Sequence, residues 1–219
     1  MNENFSRRKF CSLLPAAMIP YCVAPVNAQT RVREGVFMLK QPFLPDRRAT
    51  RILVHHIGWV ASPSSHTEYL AFRAWAKDQS DRLEFSSHFM SLGGIESSFH
   101  QQVCYALKLA YKEQSDPYID ALYELCVTRK AKFTDTGSLL SAFERYQPNL
   151  LEGITKASAH IGSFRNVAEC KRIQDLCARS GIKQVPLTIV GGRASFKSTN
   201  TARQYLVALL NGAVEAYRK

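Results

Sequence analysis

Apolar residues in this chain follow two different spacings. Continuous or alternating apolar runs predict strands, and they cover residues 35–39, 51–57, 82–92, 185–190 and 193–196. A spacing of three or four predicts helices, and it covers a stretch after residue 62 and residues 101–113, 118–130, 136–146, 148–152, 164–179 and 201–217. The resulting order, β-β-α-β, a helical block and then α-β-β-α, predicts an α/β chain with an all-helical insertion.

The stretch from Arg51 to Trp75 is the centre of this pattern. Residues 52–57 are a continuous apolar, β-branched run, as expected of a central strand covered on both faces. A turn with Ser62-Pro63-Ser64-Ser65 follows and leads into a helix. The residues predicted on the buried side of that helix are Leu70 and Ala74, with Phe72 and Trp75 as further candidates. Serines at a helix start are good caps, so capping alone accounts for them.

The first 28 residues have the features of an export signal. Ser6-Arg7-Arg8-Lys9-Phe10 precedes an apolar stretch, and Val26-Asn27-Ala28 offers small residues at a peptidase site. The mature chain is therefore expected to begin at Gln29. The paired arginines resemble the twin-arginine export signal, and general secretory export fits the same residues. No later run is long enough to span a membrane, so we expect an exported protein in the bacterial periplasm.

The charge is high but dispersed. The formal net charge is +11, and residues 1–28, with Arg7, Arg8, Lys9 and Glu3, account for +2 of it, which leaves +9. No run of five basic residues and no alternation of basic and aromatic residues occurs, which argues against a nucleic-acid groove. Solvated helix faces explain the charge, and a weakly acidic partner surface is compatible with it.

Three segments together resemble the periplasmic disulfide oxidase DsbA and its relatives across residues 35–217. They are the strand, turn and helix around Ser62-Pro63-Ser64-Ser65, the inserted helices, and the segment 181–192 with Val185-Pro186 and Gly191-Gly192. The resemblance implies a thioredoxin-like fold whose two parts, residues 29–95 and 166–219, flank a helical insertion at 96–165.

The resemblance also assigns a site. Ser62 and Ser65 stand where the family has its two redox cysteines, and Val185-Pro186 corresponds to its cis-proline loop. Pro63 and His66 would join Val185 and Pro186 in a groove that holds an extended segment of an exported polypeptide. Disulfide exchange needs a thiolate and a resolving thiol, and serine supplies neither.

We therefore expect a non-redox member of the family that binds peptides or acts like a chaperone, with no cofactor. Two alternatives stay open, and with them the question of enzymatic activity. The Ser-Pro-x-Ser turn of residues 62–65 also resembles that of kappa-class glutathione transferases and chromene-carboxylate isomerases, which implies a serine-site enzyme that binds glutathione. Residual thiol-disulfide oxidoreductase activity through other cysteines is the second alternative.

Four cysteines would remain in the mature chain. Cys170 and Cys177 lie seven apart on one predicted helix, about 10 Å from each other, which exceeds the roughly 7 Å that a disulfide bridges. Cys104 and Cys126 are placed symmetrically about a turn near Ser115, so a structural disulfide between them fits an antiparallel helix pair. Two free, buried thiols fit the sequence as well.

The histidines do not form a metal motif. His55 and His56 are adjacent on a strand and should point to opposite faces. His66 and His88 could approach them in the fold, but no carboxylate or cysteine joins them at a recognisable spacing. We therefore expect no metal site.

Overall fold

The computed structural model describes residues 31–33, 36–44, 51–196, 207–208, 210–212 and 214–215. The export signal predicted at residues 1–28 lies outside the described residues, as does much of the helix predicted at 201–217. The described part of that helix is helical, and it buries Leu210 and Val214.

The described strands form one six-stranded sheet in the order β1-β2-β6-β5-β3-β4. The strands are β1 (Arg31–Arg33), β2 (Val36–Met38), β3 (Ile52–Gly58), β4 (Leu83–Phe89), β5 (Leu187–Val190) and β6 (Ala194–Phe196). β3 pairs in parallel with β4, and every other neighbouring pair is antiparallel. β3 is thus central, as its continuous apolar sequence predicted, and β4 lies at an edge.

Six helices lie between β3 and β5, and five of them follow β4 without an intervening strand. They are α1 (Pro63–Asp78), α2 (Ile95–Tyr111), α3 (Asp116–Tyr123), α4 (Thr136–Tyr146), α5 (Leu151–Ser158) and α6 (Phe164–Ser180). α3 continues into a π-helical turn, Glu124–Thr128, and α6 ends at Gly181 with a positive φ of 76°. None of the helices in the described part of the chain is long and apolar enough to cross a membrane. The architecture is the predicted thioredoxin-like fold with inserted helices.

Two predicted boundaries were wrong for identifiable reasons. α2 begins at Ile95, before the predicted residue 101, because Gly93 and Gly94 hold positive φ angles that end the preceding turn. The first turn of α2 carries the exposed Ile95 and polar residues, so the apolar spacing starts later than the helix does. The strand predicted at 185–190 likewise starts at Leu187 instead of Val185, because Val185 and Pro186 form a bend.

The buried face of α1 also differs from the prediction. Leu70 is 36% exposed and Ala74 is half-buried, whereas Phe72 and Trp75 are buried as expected. Tyr69 and Phe72 are the buried residues because one side of α1 packs on the sheet and another approaches Tyr123 of α3. Leu70 therefore lies on the side of the helix that faces solvent.

A polar cluster ties α1 to the inserted helices. Arg73 donates two hydrogen bonds to the carboxylate of Asp120 on α3, at 3.0 and 2.9 Å. Arg73 also donates to the hydroxyl of Tyr69, which in turn donates to Asp116. Since the paired charges are only partly exposed, they interact more strongly than fully solvated ions do. This cluster fixes the position of α3 beside the first helix.

We predict that Arg73→Gln lowers the free energy of unfolding by about 1–3 kcal/mol, because it removes charged hydrogen bonds that join two helices. Arg172→Gln is the matched control, since Arg172 also forms a two-bond pair, with Glu169, but within one exposed helix turn. There the expected loss is about 0.5 kcal/mol or less. Urea unfolding of both variants tests this, and equal losses would show that the cluster adds nothing beyond a surface pair.

Candidate functional site

The serine turn lies where β3 passes into α1. Ser62 is the N-cap of α1, with extended backbone angles, and Pro63 occupies the first helical position. The Ser62 hydroxyl oxygen accepts a hydrogen bond from the backbone N–H of Ser65 at 3.2 Å and pairs with the Ser64 hydroxyl at 3.0 Å. Ser62 thus satisfies one of the otherwise unpaired N–H groups of the first helical turn.

Ser65 faces the interior. Its side chain is fully buried, and its hydroxyl oxygen accepts a hydrogen bond from the backbone N–H of Trp59 at 3.2 Å. A Cβ on Gly58 would come within 2.9 Å of His56 Nε2 and 3.0 Å of the Tyr123 hydroxyl oxygen. The chain therefore needs a glycine at the end of β3, because the space beneath the turn is already filled by polar groups.

His66 stands on the outer side of the same helical turn. It is half-buried, and its ring stacks on Tyr123 with centroids 4.7 Å apart and planes 11° apart. Desolvation lowers the pKa of His66, the charge of Asp120 opposes this, and Arg73 adds to the lowering. At neutral pH, His66 therefore offers an uncharged aromatic surface beside the serines.

A buried histidine lies beneath the turn. His56 has no exposed surface, and its Nδ1 lies 3.4 Å from the Thr188 hydroxyl and 3.9 Å from the buried carboxylate of Glu68. Desolvation lowers the pKa of His56 to about 3, although the Ser65 backbone opposes that shift. His56 is thus held neutral and is sealed from solvent by the serine turn.

The segment Val185-Pro186 approaches the same end of the sheet. Leu187, the first residue of β5, is paired with Ile57 near the end of β3, so Pro186 and the serine turn flank one end of these strands. The Val185–Pro186 peptide bond is cis, with Val185 half-buried and Pro186 buried. Pro63, at the other side of this end, is exposed. The topology therefore gathers the predicted site residues into one region.

The histidines divide between the two sheet faces, as the strand period predicted. His56 contacts Phe72 of α1, whereas His55 contacts Phe43 and lies 3.2 Å from His88, measured from Nδ1 to Nε2. His66 instead stacks on Tyr123. Within the described ranges, no group of three or more histidine, cysteine or acidic side chains is placed to hold a metal ion.

The sequence left two possibilities for Cys104 and Cys126, a structural disulfide or free thiols, and in the structure both are free, buried thiols. Cys104 lies on α2, and Cys126 lies in the π-helical turn that follows α3. Burial raises the pKa of Cys126 to about 12 and that of Cys104 well above its usual value. Both cysteines are therefore disfavoured as the thiolates that form disulfides.

Three residues of the site escaped the sequence analysis. Tyr123 supports His66, and Trp59 donates a hydrogen bond from Nε1 to Nδ1 of His100 on α2 at 3.2 Å. His100 is buried against Phe133, with ring centroids 4.6 Å apart. Tyr123 and His100 come from the inserted helices, whose apolar spacing identifies a buried face but not the strand end that it covers. Trp59 alone, adjacent to the turn, was within reach of sequence reasoning.

His100 gives the site a testable pH dependence. Its folded-state pKa is lowered by burial to about 4, so the unfolded chain, with a value of about 6.5, binds the extra proton in the interval between them. The stability due to neutral His100 is present above about pH 6.5 and is lost as the pH falls towards 4. We predict that the unaltered protein has a larger free energy of unfolding than His100→Gln at neutral pH. As the pH falls through this interval, that difference should shrink by about 1.4 kcal/mol per pH unit.

Urea unfolding at pH 7, 6 and 5 measures that difference. Glutamine keeps an acceptor for Trp59 but does not titrate, so it is a matched replacement. A stability difference that stays constant across the three pH values would show that His100 is not held neutral in the fold.

Solved structures of DsbA proteins share this architecture. DsbA of Pseudomonas aeruginosa superposes with a TM-score of 0.70 at 16% identity, covering 84% of this chain and 92% of that one. The oxidoreductase NmDsbA1 of Neisseria meningitidis gives 0.68 at 17%, covering 84% and 93%. The oxidoreductase DsbA of Xylella fastidiosa gives 0.67 at 15%, covering 84% and 95%. No protein-family model and no curated protein matches the sequence. The chain therefore has the DsbA-like thioredoxin fold.

Proposed function

We propose that this protein is an exported, DsbA-like protein without a redox dithiol, and that it binds an extended polypeptide beside Val185 and Pro186. One observation carries the proposal. The two serines that stand in place of the dithiol, Ser62 and Ser65, both use their hydroxyl oxygens to accept backbone N–H groups. The two hydroxyl groups therefore stabilise the junction between β3 and α1, and this junction contains no thiol.

The remaining thiols support this part of the proposal. The four cysteines in the described residues are buried in helical segments. Burial raises the pKa of Cys170 to about 11 and of Cys177 to about 12. A thiolate is the nucleophile of disulfide exchange, so these groups are poorly suited to residual oxidoreductase activity.

The surface around the turn favours peptide binding. Pro63 is exposed, and Ser62, Ser64 and His66 are half-buried, so hydroxyl groups and a neutral ring meet solvent together. Beyond β4, at the same end of the sheet, Leu92 and Ile95 are exposed. An extended chain would find main-chain partners at Val185 and Pro186, just before β5, and apolar contacts at the rim, as in other strand-like recognition modes.

The partner is proposed to be an exported polypeptide. The expected export signal would deliver the mature chain to the periplasm, where unfolded exported chains are available. Its net charge of +9 after signal removal favours neutral or acidic segments. No cofactor is required for such binding.

We predict that Val185→Glu weakens binding of an unfolded acidic chain at least about tenfold, because the new carboxylate is half-buried and repels the ligand. The probe is fluorescently labelled α-lactalbumin, reduced and alkylated so that it stays unfolded and cannot exchange disulfides. Phe164→Glu is the matched control: it introduces the same charge at the start of α6, where Phe164 is 91% exposed. Fluorescence anisotropy should show nearly unchanged binding for this control.

Three results would contradict the proposal: no binding by the unaltered protein, equal loss in both variants, or no loss in Val185→Glu. The glutathione alternative is tested with the same preparation. We expect glutathione to leave the melting temperature unchanged. A concentration-dependent rise that Ser62→Ala abolishes would instead support a serine-site enzyme.

A further inference from the structure

The edge strand β4 presents alternate backbone groups to the outside of the sheet. The N–H of Met90 donates to Gly58 O, and the N–H of Ile52 donates to Arg82 O. Because bonding groups recur at every second residue along a parallel pair, residues 84, 86 and 88 face β3. The N–H and C=O groups of residues 83, 85, 87 and 89 therefore point away from the sheet.

The C-terminal half of this outer edge is covered by α2. Tyr105 accepts the N–H of Phe89 at 3.1 Å, and the Gln101 side-chain amide donates to the Phe89 carbonyl at 2.8 Å. The Lys108 ammonium donates to the carbonyl of Ser87. Covering an edge with a helix is a common protection against unwanted strand pairing. Here the protection stops at Ser87.

The N-terminal half of the edge is open. The N–H of Leu83 donates to Gln79 O, but four further backbone groups make no hydrogen bond to any residue that the structure describes. These groups are the carbonyl of Leu83, the N–H and carbonyl of Phe85, and the N–H of Ser87. They span about 13 Å, the length of a short strand. We call them the open edge.

A groove runs along the open edge. Two adjoining cavities, of about 860 and about 510 Å³, share Phe85 and Asp116. The larger cavity has apolar walls at Leu70 and Pro117, and the smaller one ends at Lys112. An extended chain placed here could bond to the strand edge and lay alternate side chains against Leu70. The exposed side of Leu70, which the amphipathic pattern of α1 did not predict, thereby gains a role.

We infer that the open edge is a second polypeptide-binding site, which takes up an extended segment of a partner protein as an additional strand of the sheet. The free donors and acceptors supply affinity, and the groove supplies room for the side chains. The site is separate from the serine turn, since Lys77 on its rim lies roughly four helical turns along α1 from Ser62.

The charges at the two ends of the groove define the partner further. Lys77 lines the larger cavity and Lys112 the smaller, and neither forms an ion pair with a described residue. Among the other charged residues of the lining, Arg51 is paired with Glu84 and Arg73 with Asp116 and Asp120, while Glu113 also lines the smaller cavity. The groove therefore favours a segment of alternating small apolar residues flanked by acidic ones.

The test compares Phe85→Pro with Phe85→Ala. Both remove the aromatic ring, but only proline removes the outward N–H and places its own ring on the edge, a position that tolerates proline in edge strands. The probe is a fluorescein-labelled peptide, Glu-Val-Thr-Val-Thr-Val-Glu, with a copy N-methylated at each valine and threonine. By fluorescence anisotropy, Phe85→Ala should bind within a few-fold of the unaltered protein, and Phe85→Pro at least about tenfold more weakly.

The N-methylated peptide should not bind. Each protein in this comparison, the reference included, also carries Val185→Glu, which weakens binding beside Val185, so that the anisotropy reports on the open edge. Equal affinities for the two Phe85 variants, or binding of the N-methylated copy, would overturn the inference. Sedimentation that shows a dimer of Phe85→Ala but not of Phe85→Pro would also overturn it, because the edge would then be occupied by a second copy of this chain.

Hydrogen exchange on the unaltered protein provides a measurement that does not depend on a variant folding. The parent peptide should slow exchange of the Phe85 and Ser87 amides and leave that of the Phe89 amide, already bonded to Tyr105, unchanged. Unchanged exchange at Phe85 and Ser87 with saturating peptide would refute the site.

Discussion

The hydrogen bonds of two serines hold the end of β3 and the start of α1 in one fixed geometry. Ser62 caps the helix, and the buried hydroxyl oxygen of Ser65 accepts the backbone N–H of Trp59. Gly58 can then lie against His56 and Tyr123, where a larger residue would not fit. Through Tyr123 and the Trp59–His100 bond, this junction also locates the inserted helices. The positions of Pro63 and His66 in the first turn of α1 depend on it.

The same junction explains how the DsbA-like fold can form without the dithiol, as we propose. The start of α1 needs one side chain that caps the helix and a second, buried one that accepts the N–H of Trp59. A serine hydroxyl can fill either role. Under this proposal, serines in place of a dithiol need not destabilise the fold. They would remove the chemistry of disulfide exchange, since a hydroxyl is no substitute for a thiolate. Shape and main-chain recognition remain, which is why we assign binding to the site and treat the open edge of β4 as a second binding surface.

Sequence reasoning was most successful where local pattern and fold agree. The continuous apolar run of β3, the serine cap and Gly181 at the end of α6 could all be predicted because each depends on neighbouring residues. It failed where tertiary packing decides. Leu70 is exposed because the sheet and Tyr123 of α3 cover other sides of α1. Cys104 and Cys126 are free, buried thiols, and their symmetric placement about Ser115 did not decide between a disulfide and free thiols. Tyr123 and His100 reach the site from distant helices, and no local spacing signals that.

The most direct test of the account measures oxidation of a reduced, unfolded substrate by the unaltered protein and by a Ser62→Cys/Ser65→Cys variant. We predict no activity above buffer for the former and clear activity for the latter, since the two thiols would return to a helix start that lowers the pKa of the first. Activity of the unaltered protein would contradict the absence of a working dithiol. A folded but inert double variant would contradict the claim that the scaffold of a disulfide exchanger is preserved.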